Sequence, residues 1–256
     1  MSKMPVLFIG HGSPMNAIEK NEYTRNWSSI AEKIPRPKTI ISFSAHWFTE
    51  GTNIMNEGYP RTVHDMYGFP KKLYEIIYDA PGSPEIAKVA KSLISKSTAY
   101  DTSWGIDHGT WSVLVHMYPD RTIPVFQISI DAYAPPEIHY TIGRELRSLR
   151  DEGVLLFGSG NIVHNLRLVD WDMKGKGFDW AYEFDDCIHE HIISKNHEKV
   201  LRYGELTDAA KLAVPTTDHF YPLFYILGAS DHNDEVHVFN KSCELGSLSM
   251  TSYLLG

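Results

Sequence analysis

Three histidines stand just beyond short apolar segments that have the character of buried strands. They are His11 after residues 6–9, His46 after residues 39–43, and His164 after residues 154–157. Glycines beside two of these segments allow sharp turns and close approach of the backbone to a ligand. Because ligands of open α/β sheets bind beyond the carboxyl ends of the strands, we expect the three imidazoles to meet at one sheet edge.

Imidazole is a nitrogen ligand that suits zinc, iron, copper and nickel. Ligands drawn from distant parts of a chain are typical of a catalytic metal centre, whereas structural sites tend to use close pairs. The spacing therefore predicts one divalent metal ion in a catalytic pocket, and it leaves the identity of the metal open.

Asp218 and His219 form a further candidate pair, because an apolar helix is expected to begin near His219 and would anchor them. Asp218 would complete a two-histidine, one-carboxylate centre, which is the usual open iron site. His219 would instead complete a centre of three histidines. The residue pattern alone does not decide between the two.

Two short segments, residues 64–70 and 104–111, mix aromatic residues with glycine, histidine and aspartate. Aromatic rings can wall a flat substrate, while imidazole and carboxylate groups can bind its polar atoms. We interpret both segments as ligand-binding loops. Their candidate substrate contacts are His64, Asp65, Tyr67 and Trp111, and His108 lies in the second loop.

The elements that must position these residues follow an alternating pattern. Continuous apolar runs at residues 6–9, 39–43, 125–130 and 154–157 predict strands that are covered on both faces. Apolar stripes predict helices after Ser83-Pro84, over residues 138–149 and over residues 179–194, and residues 235–239 and 247–254 look like added strands. We therefore predict an α/β fold, with a mostly parallel or mixed sheet flanked by helices, in one domain spanning residues 1–256.

Composition excludes several classes of function. A formal net charge of −8 disfavours nucleic-acid binding, and the short apolar runs predict no membrane partner. Two isolated cysteines and the absence of a signal-like N-terminus predict a cytoplasmic protein. The oligomeric state is not predicted. Nucleotide-binding, serine-hydrolase and zinc-protease motifs are missing from the sequence.

Taken together, the motifs are similar to those of one enzyme family. GHGSPMNA, SAHW, HDMYGFP, GIDHGTW, GSGNIVHN and DHFYPL occur in this order. The set resembles the class III extradiol ring-cleavage dioxygenases of the LigB superfamily, in the branch that is similar to DOPA 4,5-dioxygenases. Met66 and Thr110 stand where that family usually has Phe and commonly has Ala, which bears on substrate fit.

The resemblance implies an enzyme that opens the ring of a catechol, such as a DOPA-like diol, with O2. It implies non-haem Fe(II) held by His11, His46 and His219, with zinc possible in the isolated protein. It also implies that His164 is the acid–base residue, or else a fourth metal ligand, and that His108 contacts the substrate or supports the site. The alternatives are a tetrapyrrole metal chelatase, which also begins with GHGS after a strand, a zinc-dependent hydrolase, and a binding module without catalysis.

Overall fold

The computed structural model of the protein describes residues 3–256. Its strands are β1 Val6–Gly10, β2 Thr39–Ser44, β3 Phe48–Thr49, β4 Thr52–Met55, β5 Thr98–Asp101, β6 Val125–Gln127, β7 Ile130–Asp131, β8 Val154–Gly160, β9 Val236–Phe239, β10 Cys243–Glu244, β11 Leu248–Ser249 and β12 Ser252–Leu255. Its α-helices are α1 Glu22–Lys33, α2 Lys71–Tyr74, α3 Pro84–Leu93, α4 His108–Met117, α5 Pro136–Leu146, α6 Asp179–Ile193, α7 His197–Leu201, α8 Ala210–Ala213 and α9 Pro222–Ala229. Short 3-10 turns cover Pro14–Ala17, Arg147–Arg150, Leu166–Leu168 and Tyr203–Glu205.

The central sheet has the strand order β6-β2-β8-β1-β12-β9. The first four strands are parallel, whereas β12 pairs antiparallel with β1 and β9 pairs antiparallel with β12. Every residue of β1, β2 and β8 is buried, as the continuous apolar runs predict for strands covered on both faces. The predicted α/β class with a mixed sheet is confirmed.

Helices cover both faces of this sheet. Along β8, Gly158 and Gly160 face α9, whereas Ser159 on the opposite face contacts the start of α4. Helix α5 packs on α9, and α1 packs on α4. The apolar core lies between these layers and the sheet.

Two local predictions are wrong. The run 125–130 is not one strand, because β6 ends at Gln127 and β7 pairs with β3 outside the central sheet. The segment 104–111 is not all loop, since α4 begins at His108 with Asp107 as its N-cap. His139 is completely buried between α5 and α9, where its ring accepts a hydrogen bond from Tyr225 and donates one to the carbonyl of Ala134.

Candidate metal centre

Strands β1, β8 and β2 end side by side, and this brings two of the histidines together. Gly10 pairs with Gly160, and Ser44 pairs with Ser159. Immediately beyond, the His11 amide donates to the Gly160 carbonyl at 3.1 Å. His11 and His46 therefore meet at the carboxyl edge of the sheet, as their positions after apolar segments predict.

His219 reaches the same place from the segment before α9. Its carbonyl accepts a hydrogen bond from the Asn161 amide at 2.9 Å, directly after β8. A Cβ on Gly160 would lie 2.1 Å from that carbonyl oxygen, a distance at which the backbones could not pack. Gly160 thus permits the close approach that places His219 beside β8.

The three imidazoles converge on a common point. Candidate ligand atoms of His11, His46 and His219 all lie within 4.8 Å of one another. The Nε2 atoms of His11 and His46 are 3.2 Å apart. His11 and His219 are buried, and His46 is partly buried.

The opposite nitrogen of each ring is held by a hydrogen-bond acceptor. Ser159 donates its hydroxyl proton to the Gly109 carbonyl, so its oxygen must accept from Nδ1 of His11, 3.0 Å away. Asp65 accepts from Nδ1 of His46 at 3.1 Å. Asp218 accepts from Nδ1 of His219. These bonds assign the proton of each ring to Nδ1 and leave an Nε2 lone pair aimed at the centre.

Burial favours the neutral form of two of these ligands. It lowers the pKa of His11 and of His219, and the neighbouring histidines lower both further. Burial acts in the same direction on His46, but the hydrogen bond and charge of Asp65 outweigh it, so the net pKa of His46 is raised. Three converging lone pairs, each ring anchored through Nδ1, make a donor set that fits a divalent metal ion.

His164 lies next to this centre and stacks on His219, with ring centroids 3.4 Å apart and planes 6° from parallel. Its nitrogen falls within 4.8 Å of ligand atoms of Asp218 and His219. In the part of the chain that the structure describes, it does not join the cluster of His11 and His46. Burial lowers the pKa of His164 to about 4, so the ring is neutral at pH 7.

His108 lies on the other side of the centre, 3.8 Å from His46 between ring centroids. Its Nδ1 donates to Asp65 at 2.9 Å and its backbone amide donates to the same carboxylate at 3.0 Å. Burial, followed by the nearby His46, lowers the pKa of His108.

The other candidate substrate residues differ in how much of each side chain is exposed to solvent. Tyr67 is 91% exposed. His64 is partly buried, and its Nε2 donates to the Ile76 carbonyl at 2.9 Å. Trp111 has no exposed surface and its indole N–H donates to the Val63 carbonyl, so this ring lies behind His64 and His108.

Two residues of the site escape sequence reasoning. Ser159 lies within β8 and orients His11. Asp107 is fully buried and binds Ser44, Gln127 and the first turn of α4. An aspartate just ahead of an apolar helical stretch is an N-cap signal that the sequence does contain, whereas nothing in the sequence marks Ser159.

Comparison with known proteins agrees with this geometry. Residues 5–256 match the family described as the catalytic LigB subunit of aromatic ring-opening dioxygenase. A relative from Escherichia coli K12 named 4,5-DOPA dioxygenase extradiol is 42% identical, with 100% of this chain and 96% of the relative covered. One of the same name from Beta vulgaris is 36% identical, with 96% and 94% covered. The crystal structure of an uncharacterized Escherichia coli K12 protein superimposes with a TM-score of 0.87 at 39% identity, over 99% of this chain and 100% of that one.

The site and the fold define a metal-dependent dioxygenase that acts on a small aromatic molecule and O2. The chain belongs to the family of catalytic LigB subunits of aromatic ring-opening dioxygenases, and it is an extradiol ring-cleaving enzyme. Within residues 3–256, no helix combines the length and the apolar character needed to cross a bilayer.

Proposed function

We propose that this protein, as one catalytic domain, opens the ring of a DOPA-like catechol and that Fe(II) is its metal. The convergence of Nε2 lone pairs from His11, His46 and His219 carries the proposal, and the names of the relatives support the substrate class. When bound there, iron would supply the redox chemistry that O2 requires. Zinc fits the same ligands but has no redox chemistry, so a zinc-loaded protein should be inactive.

His164 is the proposed proton acceptor. General-base catalysis needs a neutral group near the reacting hydroxyl, and the pKa of about 4 keeps this ring neutral at pH 7. Its position outside the cluster of His11 and His46 favours proton transfer over a role as fourth ligand.

His108 is proposed to hold the second polar group of the substrate. The Nδ1–H group of His108 donates a hydrogen bond to Asp65. Its Nε2 atom therefore keeps a lone pair that can accept a proton or a hydrogen bond from a catechol hydroxyl. Its pKa is lowered, so the neutral form dominates at pH 7. The same ring can later return a proton to the opened product.

We assign the substrate-facing rim to His64 and Tyr67. The hydrogen bond from His64 to the Ile76 carbonyl uses Nε2, so Nδ1 remains available for a substrate. The exposed ring of Tyr67 can cover a planar substrate. Trp111 is given a supporting role because it has no exposed surface. Asp65 is proposed to orient the histidines rather than to bind substrate, since its carboxylate already contacts His46 and His108.

The test begins with protein purified without oxygen and loaded with Fe(II). Addition of DOPA, caffeate or simpler catechols in air should consume O2 and form a coloured ring-opened product. Protein loaded with zinc should do neither. Absence of turnover with every catechol would refute the proposed function.

A His164→Ala variant separates the two roles of that residue. It should keep its iron while turnover falls by about 10²- to 10⁴-fold, the usual contribution of a general base. His237→Ala, which removes an exposed histidine, should retain wild-type turnover. Loss of iron from His164→Ala would identify His164 as a ligand instead.

A further inference from the structure

Asp65 is shared by two histidines that serve different purposes. One oxygen, Oδ2, lies 3.1 Å from Nδ1 of His46 and 2.9 Å from Nδ1 of His108. The other oxygen, Oδ1, accepts the backbone amide of His108 at 3.0 Å. The Asp65 carboxylate therefore contacts both His46, a proposed metal ligand, and His108, a proposed substrate-binding residue.

The chemistry of these contacts fixes the tautomer of both rings. An ionised carboxylate can only accept hydrogen bonds, so both Nδ1 atoms must carry protons. Each Nε2 is then left with a lone pair. Without the carboxylate, a neutral imidazole could place its proton on Nε2 instead and lose the ability to bind metal through that atom.

The surroundings hold Asp65 in this role. Its side chain is only 14% exposed, and Nδ1 atoms of two histidines lie within 3.1 Å of its Oδ2 atom. The backbone bond to His108 prevents the carboxylate from rotating away. Both oxygens have partners already, and this leaves little capacity for binding substrate directly.

We propose that Asp65 is a positioning residue that sets the tautomers of His46 and His108 together, so that one carboxylate controls both metal affinity and the proton-handling face of the site. This inference rests on the proposed function for the roles of the two histidines. The tautomers themselves do not depend on which substrate is turned over.

Asp65→Asn is the informative variant because it keeps the shape and removes one acceptor. An amide has one oxygen and one NH2 group. If the oxygen accepts the His108 backbone amide, the NH2 group faces the two Nδ1 atoms. If the side-chain amide is flipped, its NH2 group faces the backbone amide of His108. Neither orientation satisfies all three donors.

Asp101→Asn is a matched control. That carboxylate stands at the end of β5, and its Oδ1 atom accepts the backbone amides of Ser103 and Trp104 at 2.8 and 2.7 Å. A single amide oxygen can accept both. The control thus makes the same chemical change without touching a histidine.

Two measurements test the proposal. Nitrogen-15 NMR of the metal-free protein reports which ring nitrogen of each histidine carries the proton, and titration with Zn²⁺ reports metal affinity without any turnover. Asp65→Asn should shift His46, His108 or both from the Nδ1–H to the Nε2–H tautomer. Its zinc affinity should fall by about 10- to 100-fold, as for other residues that orient metal-bound histidines.

Asp65→Glu covers the case in which the amide variant does not fold. The longer side chain keeps the charge but moves the oxygens, so zinc affinity should fall less than in Asp65→Asn while the Nδ1–H tautomers are retained. Asp101→Asn should match wild type in both measurements. Unchanged tautomers in Asp65→Asn, or unchanged zinc affinity in both Asp65 variants, would overturn the proposal, whereas failure of the catechol assay alone would overturn only the proposed function.

Discussion

At the scale of single residues, the metal centre depends on where each imidazole keeps its proton. His11 shows this most clearly, because the hydroxyl proton of Ser159 is directed to the Gly109 carbonyl and only the oxygen lone pairs remain for His11. The His11 ring must therefore donate its Nδ1 proton to the Ser159 oxygen. A hydroxyl buried in a strand thereby determines which nitrogen of His11 faces the proposed metal position.

Ser159→Ala should therefore weaken metal binding. Loss of an outer hydrogen bond to a ligating histidine typically costs about 10- to 100-fold in metal affinity. Competition between the protein and a coloured chelator for Zn²⁺ measures the change. Ser42→Ala provides the control, since this serine is equally buried but bonds to Thr110 in helix α4 rather than to a histidine. Equal affinities in the two variants would contradict the role of Ser159.

The sequence predicts the positions of the candidate ligands better than it predicts the residues that hold those ligands by hydrogen bonds. His11 and His46 could be placed at one edge because each follows an apolar strand, and the structure confirms this juxtaposition. The bond between Ser159 and His11 spans 148 positions in sequence. It depends on the register of β1 against β8, which no local pattern encodes.

At the scale of elements, α4 packs its first turn against the sheet edge beside His46. A Cβ on Gly109, in the first turn of this helix, would lie 2.6 Å from Oγ of Ser44 and 2.8 Å from Cδ2 of His46. The glycine allows the helix to approach both β2 and the His46 ring. Its small size is required for packing rather than for an unusual backbone angle.

Gly109→Ala should destabilise the protein although alanine is the better helix former. The usual gain is about 1 kcal/mol, but forcing a methyl group into a packed interior costs about 1–3 kcal/mol. Because the clash falls on His46, zinc affinity should decrease as well. Urea unfolding and zinc titration measure the two effects. Gly204→Ala, where an added Cβ meets nothing within 4 Å, should lower neither the free energy of unfolding nor the zinc affinity.

The elements also show where sequence patterns succeed and where they do not. Strands β1, β2 and β8 are predictable because burial on both faces leaves uninterrupted apolar runs. The apolar run that contains β6 and β7 predicts a single strand, because periodicity cannot show that the chain leaves one sheet for another. Helix α4 is buried along almost its whole length, so it lacks the polar face by which a helix is usually identified.

His139 makes the contact between α5 and α9 sensitive to pH. Burial lowers the pKa of His139 to about 4, compared with about 6.5 for an unfolded histidine. The unfolded chain therefore takes up a proton at a higher pH than the folded protein does. The stability present above pH 6.5 is lost as the pH falls towards 4, by up to about 3 kcal/mol from this residue.

A His139→Gln variant should show a weaker dependence of its unfolding free energy on pH. Between pH 7.5 and pH 5, the wild type should lose about 2 kcal/mol more than the variant. Urea denaturation of metal-free protein at both pH values measures this difference, because contributions from the other histidines cancel. His237→Gln, at an exposed position, should behave as wild type. Parallel pH profiles for wild type and His139→Gln would show that the buried ring is not responsible.

At the scale of the whole molecule, the proposed metal centre joins parts of the chain that are far apart in sequence. His11 follows β1, His46 follows β2, and His219 precedes α9. An ion held by all three would link the sheet edge to a helix on one face. Since this geometry requires the folded chain, metal binding should stabilise the protein against global unfolding.

Zn²⁺ should therefore raise the melting temperature of the metal-free protein in a concentration-dependent way. At about 100 times its dissociation constant, a ligand that binds only the folded state adds about 2.7 kcal/mol. For a protein of this size, that corresponds to a rise of about 5–10 °C. His219→Ala removes the ligand that lies 173 residues beyond His46 in sequence, so this variant should lose most of the rise. Mg²⁺, which prefers oxygen ligands, should have little effect on either protein. A rise of equal size with Zn²⁺ in His219→Ala would mean that the metal binds elsewhere, because the two remaining imidazoles cannot connect the edge of the sheet to α9.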